Sequence, residues 1–153
     1  EKGIDTLLAA AKALPQLHFV LAGSGTTAEE IQQLPNATDV GFCTGDDLYR
    51  RIAAAKCSIY PSVWYENCPY SVMESIALGT PVLGTNIGGI PELIEDGKTG
   101  VLLPPGDAKA LGGALCRLDL EPERLAAMTA ACRADAFLSV QDYTDRLLSD
   151  YNA

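Results

Sequence analysis

Short apolar runs alternate with amphipathic stretches along this chain, and the alternation predicts its secondary structure. In residues 3–14, apolar side chains recur at the spacing of one helix face. In residues 81–86 the apolar run is short and unbroken, which is typical of a strand buried on both sides. The same criteria predict strands at 17–23, 38–43, 57–62, 81–86 and 100–106. They predict helices at 3–14, 26–34, 46–56, 71–79, 90–94, 108–118, 121–137 and 139–151.

The predicted strands and helices follow one another with connections of only a few residues. This order favours an α/β fold, a doubly wound parallel sheet with helices on both faces in the Rossmann-like manner. Neither a repeat nor a linker divides the chain, so residues 1–153 are predicted to form a single domain. Ligands bind such sheets outside the carboxyl ends of the strands. We therefore expect a site among the loops at 23–27, 42–46, 62–70 and 85–91.

Composition and charge narrow the function classes. The net charge of −9 argues against a broad surface for nucleic acid or for an anionic membrane. The five cysteines are odd in number and form no Cys-x-x-Cys, which fits reduced thiols in a cytoplasmic protein rather than a disulfide framework or a zinc site. The apolar runs are too short to span a membrane. The chain begins with Glu rather than Met, so we expect it to be a fragment.

Two carboxylates mark the strongest candidate site. Glu66 lies in the loop after the strand at 57–62, and Glu74 lies on the helix that follows. Together they could accept hydrogen bonds from sugar hydroxyls while the helix amides between them hold phosphate. A structural alternative exists for Glu74, because Ser71-x-x-Glu74 has the spacing of a capping box. An exposed loop glutamate without function is the alternative for Glu66.

Glycine pairs give weaker signals. Gly23-Ser24-Gly25 follows a strand and precedes a helix, as in a phosphate-binding turn, but the third glycine of a dinucleotide fingerprint is absent. A simple turn explains it equally well. Gly88-Gly89 is likewise explained as a turn ahead of Pro91 at a helix start.

Side chains for acid–base or nucleophilic catalysis are scarce. The only histidine, His18, precedes a buried strand and is interpreted as structural. Cys68 lies beside Glu66 in the candidate loop, but this chain offers no histidine that could activate it as a nucleophile.

Taken together, the motifs resemble those of glycosyltransferase family 4, whose members are retaining enzymes of the GT-B fold. The family pattern is Glu, seven residues, Glu, then Ala-x-Gly-x-Pro-Val and Gly-Gly-x-x-Glu. This chain has Glu66, Glu74 and "ALGTPVLGTNIGGIPELI", followed by "DGKTGVLLPPGD". "EKGIDTLLAAAKAL" and "LAGSG" resemble the family's opening helix and its glycine loop. The resemblance covers nearly the whole chain and implies the C-terminal, donor-binding half of a GT-B fold.

The resemblance implies a role for each of the three main charged residues. Glu66 would bind hydroxyls of the transferred sugar and Glu74 the ribose hydroxyls of the nucleotide. Lys2 matches the lysine that neutralises the departing diphosphate. Helix amides and this lysine would stabilise the leaving group, so no metal and no other cofactor is expected.

The resemblance also implies the surroundings of the nucleotide, whose base could be uracil, guanine or adenine. The glycine loop, Gly23 to Gly25 with Ser24 between them, would line the pocket. Phe42 and Cys43 would lie near the base. The amides near the helix start, at Cys68, Tyr70 and Ser71, would meet the sugar and the diphosphate.

Two departures from the family pattern affect these expectations. Pro69 stands where members often have glycine, and proline has no amide to offer the donor. The family's first strand, an arginine before Lys2 and the acceptor-binding N-terminal domain are not in this chain. We therefore expect the chain alone to be inactive, and any peripheral attachment of the parent to the inner face of a membrane to reside in that other domain. A nucleotide-sugar epimerase of similar layout and a noncatalytic interaction domain of the same fold are the alternatives.

Overall fold

The computed structural model describes residues 1–25, 28–134, 137 and 140–151. The strands are β1 (Phe19–Leu21), β2 (Ala37–Asp39), β3 (Ser58–Tyr60), β4 (Val82–Thr85) and β5 (Gly100–Leu103). The helices are α1 (Ile4–Ala13), α2 (Ala28–Gln32), α3 (Gly45–Ala54), α4 (Tyr70–Ala77), α5 (Ile90–Leu93), α6 (Ala108–Leu120), α7 (Pro122–Ala134) and α8 (Val140–Tyr151). Each predicted element has a counterpart in the structure, although the strands are shorter than their apolar runs. The strand predicted at 38–43 overlaps β2 only at 38–39, and the helix predicted at 121–137 is described as far as Ala134, with residue 137 outside a helix. The predicted starts of two helices, at 26–27 and at 139, lie outside the described residues.

The strands pair in parallel, as predicted, and form two ladders. β1 pairs with β2, placing Phe19 opposite Ala37. β4 lies between β3 and β5, with Val82 opposite Ser58 on one side and Gly100 on the other. Within the described ranges, strand pairing does not join β1 to β3. The α/β class and the parallel direction are confirmed, while the hydrogen bonding is divided between two ladders.

Helices cover both faces of the ladder of β3, β4 and β5. Neighbouring side chains of a strand point to opposite faces, and on β4 Leu83 joins one hydrophobic cluster while Val82 joins another. The first cluster is built mainly on α1 and α6, and it also receives side chains from both ladders. The second is built on α4 and α5, with Cys132 of α7. The two ladders therefore share one core on the side of α1 and α6.

The ends of α1 show that β1 and β2 run in the same direction as β3. Gly3, just before α1, packs against Pro61 after the carboxyl end of β3. At the other end, Nδ2 of Asn36 donates to the carbonyl oxygens of Ala11 and Leu14 at 3.0 and 2.9 Å. Asn36 directly precedes β2, so this end of α1 lies at the amino ends of the strands. The carboxyl ends thus lie at one edge, where the sequence predicted a site.

Two local signals in the sequence have the predicted effect. Asp107 is the N-cap of α6, and its carboxylate accepts a hydrogen bond from the amide of Ala110 at 2.9 Å. Gly79 follows the last turn of α4 with a φ of 82°, a conformation that glycine adopts without strain. Among the described residues, we find no helix that is both long and apolar enough to cross a membrane.

Candidate functional site

An ion pair between Lys2 and Glu66 lies beyond the carboxyl end of β3. Nζ of Lys2 donates a hydrogen bond to Oε1 of Glu66. The Glu66 side chain is only 19% exposed, whereas that of Lys2 is 67% exposed. Their hydrogen bond is the main reason why the pKa of Lys2 is raised and that of Glu66 is lowered. The two predicted catalytic residues are therefore in contact and oppositely charged at neutral pH.

The backbone around Gly3 holds Lys2 against the end of β3. The amide of Val63 donates to the carbonyl oxygen of Glu1 at 3.0 Å. Gly3 has a φ of 72°, and a Cβ added there would lie 1.7 Å from the carbonyl oxygen of Pro61. Both the conformation and the contact require glycine at this position. The glycine after Lys2 thus lets the chain approach β3 closely enough for the ion pair to form.

The Gly88-Gly89 turn supports the backbone of the Glu66 loop. The amide of Gly89 donates to the carbonyl oxygen of Glu66 at 2.7 Å. A Cβ on Gly89 would lie 1.9 Å from the carbonyl oxygen of Asn67, and one on Gly88 would lie 2.6 Å from that of Glu66. The interpretation of these glycines as a turn before α5 is confirmed, but it missed this contact. A pair of glycines shortly after a predicted strand is the sequence signal that could have indicated this close backbone contact.

Tyr60, the last residue of β3, is a site residue that the sequence analysis missed. Its ring centroid lies 6.0 Å from Nζ of Lys2, within the range of a cation–π contact. Burial raises the pKa of its phenol, and hydrogen bonding to this phenol helps to lower the pKa of Glu66. The apolar strand run gave no indication of this role, because tyrosine is common in strands.

Glu74 does not form the capping box that its spacing allows. The residue before α4 is Pro69, no side chain caps this helix, and Ser71 already lies within its first turn. The capping-box alternative is therefore wrong. Instead, the phenol of Tyr49 on α3 donates to Oε1 of Glu74 at 3.3 Å. The sequence analysis missed Tyr49, which lies 25 positions away.

The N-terminus of α4 presents backbone amides beside the Glu66 loop. In the first turn, the amide of Val72 bonds to the carbonyl oxygen of Pro69 at 3.0 Å. The amides of Tyr70 and Ser71 precede it and belong to the donors that a helix start leaves without an intrahelical partner. Aligned peptide dipoles add positive potential at this end. This arrangement can bind an anion such as phosphate.

The predicted glycine loop lies beyond β1. Gly23, Ser24 and Gly25 are exposed. The amide of Gly23 donates to the carbonyl oxygen of Gly41 at 2.8 Å, which joins this loop to the one after β2. A Cβ on Gly23 or Gly25 would meet no atom of the described residues within 4 Å. The described part of the chain therefore does not crowd this loop, which leaves room for a ligand.

The remaining predicted residues lie in two loops of the same edge. Phe42 follows β2 and is 76% exposed. Cys43 beside it is half-buried, and burial raises the pKa of its thiol. Cys68 is exposed in the loop after β3, and its Sγ lies 3.6 Å from Sδ of Met73. The described contacts bring together Lys2 and Glu66, but they do not connect these three residues to that pair.

Comparisons with known proteins show the family and the fold of this chain. The family model described as Glycosyl transferases group 1 matches residues 1–119. The amylovoran biosynthesis glycosyltransferase AmsK of Erwinia amylovora is 29% identical over 150 residues, 88% of this chain and 37% of that protein. Sucrose-phosphate synthase from Thermosynechococcus elongatus has a TM-score of 0.78 at 30% identity, covering 87% of this chain and 37% of that one.

A third similar protein was solved with ligands. Anabaena Alr3699/HepE in complex with UDP has a TM-score of 0.76 at 25% identity, covering 87% of this chain and 40% of that one. The same protein was solved with UDP-glucose. This chain spans less than half the length of each of these three proteins. The structural neighbours confirm the Rossmann-like α/β fold of a GT-B glycosyltransferase. From the match over most of its length, the chain belongs to the family Glycosyl transferases group 1.

Proposed function

We propose that this chain is the donor-binding domain of a retaining glycosyltransferase that uses a nucleotide-diphosphate sugar without a metal ion. The observation that carries the proposal is the Lys2–Glu66 ion pair beside the N-terminus of α4. It combines a cation, a carboxylate and helix amides at the carboxyl edge of a parallel sheet, where ligands of such folds bind. The complexes of Alr3699/HepE with UDP and UDP-glucose support this class of donor.

Lys2 and the α4 amides would act on the leaving group. Transfer breaks the bond between the anomeric carbon of the sugar and a diphosphate oxygen, on which negative charge develops. The ammonium group of Lys2 and the amides of Tyr70 and Ser71 would stabilise that charge, which is the part a metal ion plays in other enzymes. Because Lys2 is 67% exposed, its ammonium group is accessible to a phosphate as a further partner.

Glu66 would orient the transferred sugar. An ionised carboxylate only accepts hydrogen bonds, so Glu66 suits sugar hydroxyls. Lys2 occupies Oε1 of Glu66, and Gly89 holds the carbonyl oxygen of the same residue. The side chain would therefore meet the donor in a defined position, which favours a single orientation of the anomeric carbon.

Glu74 would bind the ribose hydroxyls of the nucleotide. Tyr49 holds Oε1 of Glu74, and the other carboxylate oxygen can accept hydrogen bonds from the ribose. The glycine loop at residues 23–25 would line the nucleotide pocket, with Phe42 and Cys43 near the base. The donor base remains open among UDP, GDP and ADP sugars.

The acceptor would bind outside this chain. The chain spans 37–40% of the three similar proteins, so we assign the complete reaction to a full-length, cytoplasmic hexosyltransferase with a second, acceptor-binding domain. Contact with nucleic acid or with a membrane is not expected from this domain, whose net charge is −9. The chain alone would not transfer sugar.

Calorimetric titration of the full-length enzyme with UDP, GDP and ADP, each in the presence of EDTA, tests the donor pocket. We expect one nucleotide to bind without metal and Glu74→Gln to weaken it by roughly tenfold, about 1.4 kcal/mol. Glu123→Gln, on an exposed position of α7, is the matched control and should bind as the wild type does. Binding that required a divalent cation would refute the metal-free mechanism.

Steady-state transfer assays test the roles of the ion pair. Lys2→Met and Glu66→Gln should each reduce kcat by about a hundredfold or more while nucleotide binding persists. The anomeric configuration of the product, read by NMR, tests retention. An inverted product, or transfer rates unchanged in both variants, would contradict the proposal.

A further inference from the structure

Ser62 lies two residues after β3 and is only 1% exposed. A buried hydroxyl is costly unless it is hydrogen-bonded, so its partners indicate why a polar side chain is placed there. Alanine would fill nearly the same volume without a polar atom. The serine therefore contributes through its hydrogen bonds rather than through its size.

The hydroxyl of Ser62 joins two segments that are distant in sequence. Its Oγ donates to the carbonyl oxygens of Glu1 at 3.2 Å and of Trp64 at 3.3 Å. A hydroxyl has one proton, so these two carbonyl groups share it. The same Oγ accepts a hydrogen bond from the amide of Trp64 at 3.2 Å. Glu1 directly precedes Lys2 in the chain. Trp64 lies two positions before Glu66. One side chain therefore contacts the backbone beside both members of the ion pair.

Backbone hydrogen bonds carry this connection to the two charged residues. The amide of Glu66 donates to the carbonyl oxygen of Trp64 at 2.9 Å, which closes a three-residue turn. The carbonyl oxygen of Glu1 accepts a second hydrogen bond, from the amide of Val63 at 3.0 Å. The turn that carries Glu66 and the segment that carries Lys2 are therefore attached to the same short stretch after β3.

Thr85 anchors Ser62 to the neighbouring strand. It is the last residue of β4 and is 3% exposed. Its Oγ1 donates to the carbonyl oxygen of Ser62 at 2.6 Å. The ladder between β3 and β4 runs as far as Tyr60 and Gly84, so this side-chain hydrogen bond extends the attachment beyond the end of the ladder. The bond is buried and within the usual O–H···O range, so it restrains the backbone of Ser62.

We propose that Ser62 is a positioning residue whose hydroxyl aligns the backbone segments of Lys2 and Glu66 so that their side chains meet. Thr85 supports it from the neighbouring strand. Because Ser62 is buried, it acts through the ion pair rather than on a ligand. The alignment of the pair is independent of the proposed function, whereas its effect on sugar transfer rests on that function.

The pKa of Lys2 reports whether the two side chains meet. Its hydrogen bond to Glu66 is the main reason why this pKa is raised above the ordinary lysine value. Tyr60 also faces Lys2 and raises the pKa further. The pKa of Glu66 is a less direct reporter, because the hydroxyl of Ser62 adds to the effect of Lys2 in lowering it.

NMR titration of Lys2 in the folded chain tests the proposal. In Ser62→Ala, the pKa of Lys2 should fall toward its value in Glu66→Gln, the variant in which the ion pair cannot form. The fall is expected because the two backbone segments lose the group that aligns them.

Thr80→Val is the matched control for the loss of a buried hydroxyl. Thr80 is 2% exposed and lies just before β4, at the end opposite Thr85. Its Oγ1 donates to the carbonyl oxygen of Ile52 at 2.9 Å, away from the ion pair. Ser62→Ala and Thr80→Val should each lower Tm by about 2–4 °C. Only Ser62→Ala should change the pKa of Lys2.

Transfer assays with the full-length enzyme test the consequence for the reaction. Ser62→Ala should reduce kcat by roughly tenfold to a hundredfold, because the ion pair would be displaced from its working geometry. The Kd of the nucleotide should stay within about threefold, since Glu74 and the α4 amides would still hold it. Thr85→Val should act in the same direction as Ser62→Ala, whereas Thr85→Ser keeps the hydroxyl and should behave as the wild type does.

The results that would overturn the inference are distinct from those that would overturn the proposed function. An unchanged pKa of Lys2 in folded Ser62→Ala would refute the positioning role. So would an equal fall in Thr80→Val, because the pair would then respond to any loosening of the sheet. If Ser62→Ala does not fold, an unchanged pKa of Lys2 in Thr85→Val refutes the role instead. A fall in this pKa without any loss of transfer would support the positioning role and refute the proposed catalytic function of the pair.

Discussion

Substitution of Gly89 by alanine gives a direct test of how the fold positions Glu66. Gly89 has a φ of −83° and a ψ of −1°, which alanine adopts without strain. Any effect of Gly89→Ala must therefore come from the new methyl group. That group would lie 1.9 Å from the carbonyl oxygen of Asn67, in the loop that carries Glu66.

The size of the effect follows from this contact. Carbon and oxygen cannot approach much closer than about 3 Å, so the two loops must separate by roughly 1 Å. The hydrogen bond from Gly89 to Glu66, 2.7 Å long, would be stretched or lost. Overpacking of this kind costs about 1–3 kcal/mol, equivalent to a fall in Tm of roughly 2–12 °C for a protein of this size. A displacement of about 1 Å at a reacting group reduces the rate by about a hundredfold.

The assay combines thermal unfolding of the chain with transfer kinetics of the full-length enzyme. Gly113→Ala is the matched control, because a Cβ there meets no atom of the described residues within 4 Å and the position lies inside α6. It should leave transfer unchanged and raise stability by about 0.5–1 kcal/mol. If Gly89→Ala retained wild-type Tm and transfer within about threefold, the argument that this glycine positions Glu66 would be refuted.

Three further predictions test other contacts. Tyr49→Phe removes the hydrogen bond to Glu74 and should weaken nucleotide binding by roughly two- to tenfold in calorimetry with little change in Tm; an unchanged Kd would exclude a positioning role. Asn36→Ala removes the side-chain donor that two carbonyl oxygens at the end of α1 share, leaving them only their backbone partners, and should destabilise by about 1–3 kcal/mol in urea unfolding. Glu66→Gln should cost less than about 1 kcal/mol at pH 7, because Lys2 is 67% exposed and the pair is screened. The lowered pKa of Glu66 means that this stabilisation is present above the ordinary carboxyl pKa and is lost as pH falls through the folded value. The pKa of Lys2 is raised above its ordinary value of 10.5. At high pH the same stabilisation is therefore lost only as the pH rises through this raised pKa. A difference between wild type and variant that persisted unchanged at pH 2 would contradict the ion-pair origin.

Much of the candidate site could be predicted from short stretches of sequence. Glu66 and Glu74 stand out because one follows a predicted strand and the other lies on the next predicted helix. The structure has Glu66 in the loop after β3 and Glu74 on α4, as predicted. The separate roles expected of Lys2 and Glu66 came from resemblance to a family, but their contact was not predicted, since residues 64 positions apart show no mutual pattern in one sequence.

Other features depended on how separate elements approach each other. Ser71 and Glu74 have capping-box spacing, but the helix begins at Tyr70, so the cap cannot form. Tyr49 and Glu74 meet because α3 packs beside α4. The sequence around Gly88 has the pattern of an ordinary turn, and its close approach to the backbone of Glu66 depends on the packing of two separate loops.

The sequence by itself determined the order of helices and strands, the parallel α/β class and the local ends of helices such as Asp107 and Gly79. These depend on the period of the apolar residues and on backbone preferences within a few positions, which a single sequence records. Only the tertiary structure decided that the strands form two ladders, that Lys2 contacts Glu66, and that the Gly89 turn supports the Glu66 loop. Such contacts are set by packing between elements that are distant in sequence. Local sequence patterns do not show which of these elements will pack together.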